Sequence, residues 1–168
     1  VYDDLGEKDK ALDYYQQALA LRRAVGDKGG EARTLNNLGA VYDDLGEKDK
    51  ALDYYQQALA LRRAVGDKGG EARTLNNLGG VYDDLGEKDK ALDYYQQALA
   101  LSLAVQDPYG EAVTRGNLAV LWWDQGKREE ARREMQTARD LMARMGMSTA
   151  IQDGWLAKWG NTGAGDKR

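Results

Sequence analysis

The sequence predicts an all-α solenoid of antiparallel helix pairs closed by a C-terminal capping helix. Three observations predict it. "VYDDLGEKDKALDYYQQALAL" begins at Val1, Val41 and Val81, a strict forty-residue period, and periods of roughly 20 to 50 residues mark stacked supersecondary units. Within each period the apolar residues recur at three- and four-residue steps, which is a helical rhythm. The last copy diverges and leads into a short aromatic segment suited to covering the end of a stack.

The elements follow in order. Residues 1–27 read as a partial first unit, because Val1 and Tyr2 align with the end of a first helix. Its second helix, from Lys10 to Val25, would leave the side carrying Leu12, Tyr15, Ala18 and Leu19 uncovered. In the unit 28–67, Leu35, Leu38 and Tyr42 set the buried side of the first helix, and Gly46 breaks it. "EKD" then leads into a second helix with Asp49 placed to cap it, followed by Ala51, Tyr55 and Ala58 on the buried side. The stretch "GDKGGEA" is ambiguous between loop and helix start, but its counterpart in the last copy reads "QDPYGEA". Asp107 followed by Pro108 is the favoured order for entering a helix. By register Asp67 caps a helix from Lys68 and Asp27 one from Lys28, while Gly66 and Gly26 supply left-handed residues that end the preceding helices. The unit 68–107 repeats this layout, with Gly80 where Ala40 stood.

In the unit 108–146 the stretch Glu111 to Leu121 keeps the pattern, but Arg115, Gly116, Ala119 and Trp122 replace the earlier residues. "EEARREMQTARDLMARMG" is its second helix, with Met135 in place of tyrosine. Residues 147–160 form the capping helix, started by Ser148 and carrying Ile151, Trp155 and Trp159 at four-residue steps. Residues 161–168, "NTGAGDKR", read as a flexible tail.

Composition excludes several function classes. The chain has no cysteine and no histidine, which removes thiolate chemistry, the commonest general base and the commonest transition-metal ligands. A net charge of -4 gives no excess of positive charge for nucleic acid or an anionic membrane. No apolar run approaches bilayer length, so a cytoplasmic module without a cofactor is expected. "YDDLGEKDK" clusters carboxylates, but its spacing does not match a calcium loop. Arg128, Arg132 and Arg139 are interspersed with acidic residues and read as a solvated face.

Leu35, Leu38, Gly39 and Tyr42, then Gly46, Ala51, Tyr55 and Ala58, resemble the tetratricopeptide repeat pattern of large, small and aromatic positions. The match extends over nearly the whole chain. The usual period is about 34 residues, and this longer form is similar to the repeats of Pins-type scaffolds, kinesin light chains and bacterial signalling proteins. The family's proline near the end of the second helix is absent, with Arg63 in its place. The resemblance implies a right-handed tetratricopeptide (TPR) solenoid. It also implies that the first helix of each pair lines a concave groove, where protein or peptide partners bind.

On that helix Arg33, Asn36, Ala40 and Asp43 form a polar stripe, repeated by Arg73, Asn76, Gly80 and Asp83. Given the resemblance, these residues would display amides and guanidinium forks to an extended, acidic peptide. Asn37 and Asn77 point towards the neighbouring unit and serve packing. In the last copy the stripe becomes Val113, Gly116, Val120 and Trp123. Trp123 either anchors an apolar partner side chain or packs under the capping helix. The expected function is a non-catalytic interaction scaffold. The alternative is a structural array that self-associates through the partial first unit.

Overall fold

A computed structural model describes the backbone of residues 2–162 and the side chains of residues 6–160. The described residues form eight helices: α1 (Tyr2–Ala24), α2 (Lys28–Asp44), α3 (Lys48–Val65), α4 (Lys68–Asp84), α5 (Lys88–Ala104), α6 (Pro108–Asp124), α7 (Arg128–Arg144) and α8 (Ala150–Thr162). The tightest associations are the pairs α2–α3, α4–α5 and α6–α7. Each pair also touches the next, with α2 against α4 and α4 against α6. One side of the stack is therefore built from successive first helices.

Small residues set the spacing within a pair. A methyl group on Gly39 would lie 2.7 Å from the Tyr55 ring, and one on Gly79 would lie 2.6 Å from the Tyr95 ring. Tyr55 and Tyr95 are buried, as are Leu38, Leu78, Ala51 and Ala91. The ring fills the space where a side chain on the glycine would begin, so both helices approach more closely than any side chain would allow. Tyr42 stacks on Tyr54 at 5.3 Å, and Tyr82 on Tyr94 at the same distance.

Helix entries follow the register of the aspartates. Gly30 N, Gly70 N and Gly110 N donate to Asp27, Asp67 and Asp107 at 2.8, 2.9 and 3.0 Å, and Pro108 opens α6. Gly26 and Gly66 hold φ of 72°. Gln106 takes the same place in the divergent copy with φ 55°, a conformation that costs a non-glycine residue roughly 1–2 kcal/mol.

Four expectations are corrected. The first concerns α1, which runs without interruption through Gly6, where the later copies turn at Gly46 and Gly86. Second, Asp49 is not a cap: Glu47 holds that position in α3 without a side-chain bond, and Asp49 lies in the first turn. Third, Ile151 is 74% exposed, and the packed side of α8 is Gln152, Trp155, Leu156 and Trp159. Strict four-residue steps drift around a helix of 3.6 residues per turn, so Ile151 rotates off the face. Finally, α8 includes Asn161 and Thr162, which the sequence places in the tail; the rest of that tail, 163–168, lies outside the described residues.

Candidate ligand-binding groove

The stripe lies on α2, α4 and α6, the helices that touch in succession. Its cations and anions behave differently. Asp43 accepts from Lys48 Nζ at 2.6 Å, and that same ammonium reaches Asp84 at 2.5 Å. Asp83 pairs with Lys88. Each aspartate is thus neutralised by the lysine that opens the following helix. Arg33 and Arg73 are exposed and form no ion pair among the described residues. The unpaired charge on this face is positive.

The asparagines link neighbouring units. Asn36 is only 6% exposed. Its Oδ1 accepts from Thr74 Oγ1 at 3.0 Å and from Asn77 Nδ2 at 3.3 Å. One step along, Asn117 Nδ2 donates to Asn76 Oδ1 at 3.0 Å. The acceptor half of each amide therefore joins one first helix to the next. The donor half, Nδ2 of Asn36 and of Asn76, makes no bond to another described residue. Asn36 holds a structural bond in addition to any ligand role, which its place in the stripe did not reveal.

Trp123 is held by the end of the stack. It lies parallel to Trp159 at 4.5 Å, with the Arg128 and Arg132 guanidinium groups over its ring at 4.1 and 5.3 Å. Arg132 also donates to Trp159 O at 2.8 Å, and Arg139 to Asp153 at 2.5 Å. The arginines of α7 therefore fasten α8. Of the two readings of Trp123, the geometry matches packing under the capping helix.

Elsewhere, two equivalent open clefts of about 500 and 510 Å³ lie beside the stacked tyrosines, lined by Lys50, Asp53 and Tyr54 and by Lys90, Asp93 and Tyr94. Neither includes a stripe residue. Glu31 and Glu71 are buried at the start of α2 and α4. Bonds from Arg23 and Lys28 hold Glu31 below the usual carboxylate range. For Glu71 burial acts upward, but bonds from Arg63 and Lys68 outweigh it and leave the carboxyl lowered. No group of side chains able to hold a metal ion occurs among the described residues.

Sequence comparison decides the family. The tetratricopeptide repeat matches residues 1–64, 49–104 and 71–144. The chain belongs to the tetratricopeptide repeat family. Proteins of this family generally mediate protein–protein interactions. Among proteins of curated function, no sequence match is found.

Solved structures similar to this TPR chain share its fold. BtubC (BKLC) from P. vanneervenii is 23% identical with a TM-score of 0.77, over 95% of this chain and 68% of that one. A Rap protein complexed with Competence and Sporulation Factor is 21% identical with a TM-score of 0.77, over 89% of this chain but 42% of that one. A putative kinesin light chain from Podosopora anserina with nearly identical TPR-like repeats is 15% identical with a TM-score of 0.71, over 99% of this chain and 83% of that one. No helix among the described residues is long and apolar enough to cross a membrane.

Proposed function

We propose that this TPR chain is a non-catalytic binding module that takes an extended acidic segment of a partner protein along α2, α4 and α6. The observation that carries the reading is the pair Arg33 and Arg73, exposed at equivalent positions of adjacent units and unpaired while the neighbouring aspartates are neutralised. The available Nδ2 groups of Asn36 and Asn76 add donors beside them. An acidic segment supplies carboxylates to the guanidinium forks and carbonyls to the amides. Preformed helices hold these groups before binding, which limits the ordering cost. The repeat units are read as 28–67, 68–107 and 108–146, and the compartment as the cytoplasm.

The test is titration calorimetry with acidic peptides selected from a library. Replacing Arg33 and Arg73 with alanine is expected to weaken binding by roughly 1.5–3 kcal/mol per contact, with a loss that shrinks as salt rises. The thermal midpoint should stay within a degree or so of the parent's, because both residues are exposed. Unchanged affinity in the double variant would remove the reading.

A second reading, self-association, is favoured by the exposed apolar side chains of α1, namely Tyr14, Leu21 and Val25.

A further inference from the structure

The ends of α1 and α3 share a device that α5 lacks. Arg22 and Arg62 fold back over the start of the following helix, where each Nη1 donates to the capping aspartate, at 2.5 Å to Asp27 and 2.6 Å to Asp67. Any side chain on Gly30 or Gly70 would collide with that guanidinium. Arg62 is 5% exposed, so the second copy encloses a whole guanidinium between α2, α3 and α4. In the third copy the same position is Ser102, while Asp107 and Gly110 are retained.

The space is left open. A cavity of about 230 Å³ lies there, lined by Ser102, Asp107, Tyr109, Gly110, Asn76 and Arg73, with room for several waters at roughly 30 Å³ each. Ser102 is 1% exposed, and its hydroxyl has no hydrogen-bond partner among the described residues. A methyl group on Gly110 would lie 2.9 Å from Ser102 Oγ and 2.5 Å from Asp107 Oδ2. That is the spot Arg62 Nη1 fills beside Gly70. Asp107 Oδ1 caps α6, whereas Oδ2, the counterpart of the atom that takes the guanidinium in the other copies, is left without a cation.

One of the two arginines that oppose the enclosed cation in the filled copy has no counterpart here. Arg62 is opposed by both Arg33 and Arg73. Around the empty slot Arg73 takes the place of Arg33, but Val113 stands where the second arginine was. Tyr109 replaces Gly69 and adds an aromatic wall, a surface on which a planar guanidinium stacks well.

We propose that this cavity is a receptor for the arginine side chain of a partner protein, which takes the position that Arg62 occupies in the preceding unit. The guanidinium donates to Asp107 Oδ2 and Ser102 Oγ, with its plane against Tyr109. Arg73 and Asn76 of the stripe line this cavity, but the atoms that would hold the guanidinium, Asp107 Oδ2 and Ser102 Oγ, lie outside the stripe, so the site stands or falls separately from the acidic-segment reading.

The experiment is an NMR titration of the ¹⁵N-labelled chain with Nα-acetyl-arginine amide, with the citrulline analogue as an uncharged control of the same shape. Saturable shifts are expected at the amides of Ser102, Gly110 and Val113, with citrulline weaker by at least about tenfold, the worth of a bond to a charged group. Asp107→Asn retains an N-cap side chain and should weaken arginine binding by a similar factor. Ser102→Arg should fill the slot from within and abolish it. No saturable shifts, equal binding of citrulline, or unchanged affinity in Asp107→Asn would each overturn the proposal, whether or not Ser102→Arg folds.

Discussion

At Gly39 and Gly79 the tyrosine ring of the paired helix lies where a side chain would begin. Replacing Gly79 with alanine sets two effects against each other. Helix propensity favours alanine by about 1 kcal/mol, while overpacking a buried site costs about 1–3 kcal/mol. Tyr95 is 3% exposed and has nowhere to move, so overpacking wins. Gly80 makes the opposite case, since a methyl group there would meet Tyr95 Oη at an ordinary 3.7 Å, and Ala40 already occupies the equivalent place. Urea denaturation should show Gly79→Ala destabilised and Gly80→Ala stabilised by up to about 1 kcal/mol. Equal effects at the two sites would contradict the close-approach account. These glycines were legible in sequence, because a small residue beside a repeated spacing of large ones has a packing meaning. The bond from Thr74 to Asn36 was not. It joins residues thirty-eight positions apart, and nothing in the local pattern of either helix distinguishes an amide facing a neighbour from one facing solvent.

At the scale of the helix, entry and exit are governed by few residues, and the arginine that folds back makes the aspartate caps unequal. Asp67 both caps α4 and receives the enclosed Arg62 guanidinium, whereas Asp107 only caps α6. Asp107→Ala should therefore cost about 1 kcal/mol, the worth of an N-cap. Asp67→Ala should cost that and a further 1.5 kcal/mol or so, the lower range for a hydrogen bond to a charged group, because Asp67 is itself part-exposed and solvent screens the pair. Chemical denaturation of the two variants is the measurement, and equal losses would show that Arg62 gains nothing from its partner. The caps themselves could be read from "QDPYGEA", where proline fixed the start of α6. Asp49 could not be placed the same way. Glu47, Lys48 and Asp49 follow one another, and only the backbone conformation decides which of them stands before the first turn. The role of Arg62 was equally hidden: a sequence shows an arginine at a helix end, not whether it turns inwards over the next helix.

Over the whole molecule, identical units leave the ends as the places where the chain must differ. At one end α8 brings Trp155 and Trp159 against Trp123 and the α7 arginines, so the last pair buries its outer side within the chain. At the other, Leu12 and Leu19 of α1 pack on the second unit, and the apolar side predicted to lie bare is largely covered. The bare residues are instead Tyr14, Leu21 and Val25, at 71%, 69% and 76% exposure. Tyr14 occupies the place of Tyr54 and Tyr94, which stack on Tyr42 and Tyr82 in the later copies. In those copies the tyrosine packs within its helix pair, whereas the exposed apolar patch on α1 favours association. The 168-residue chain is therefore expected to associate in a concentration-dependent way through α1. Light scattering across a concentration series should show mass rising above the monomer, and Tyr14→Lys with Leu21→Lys should return it to the monomer without loss of helix content. A strictly monomeric parent at high concentration would remove the self-association reading and leave binding of other proteins as the sole use of the array.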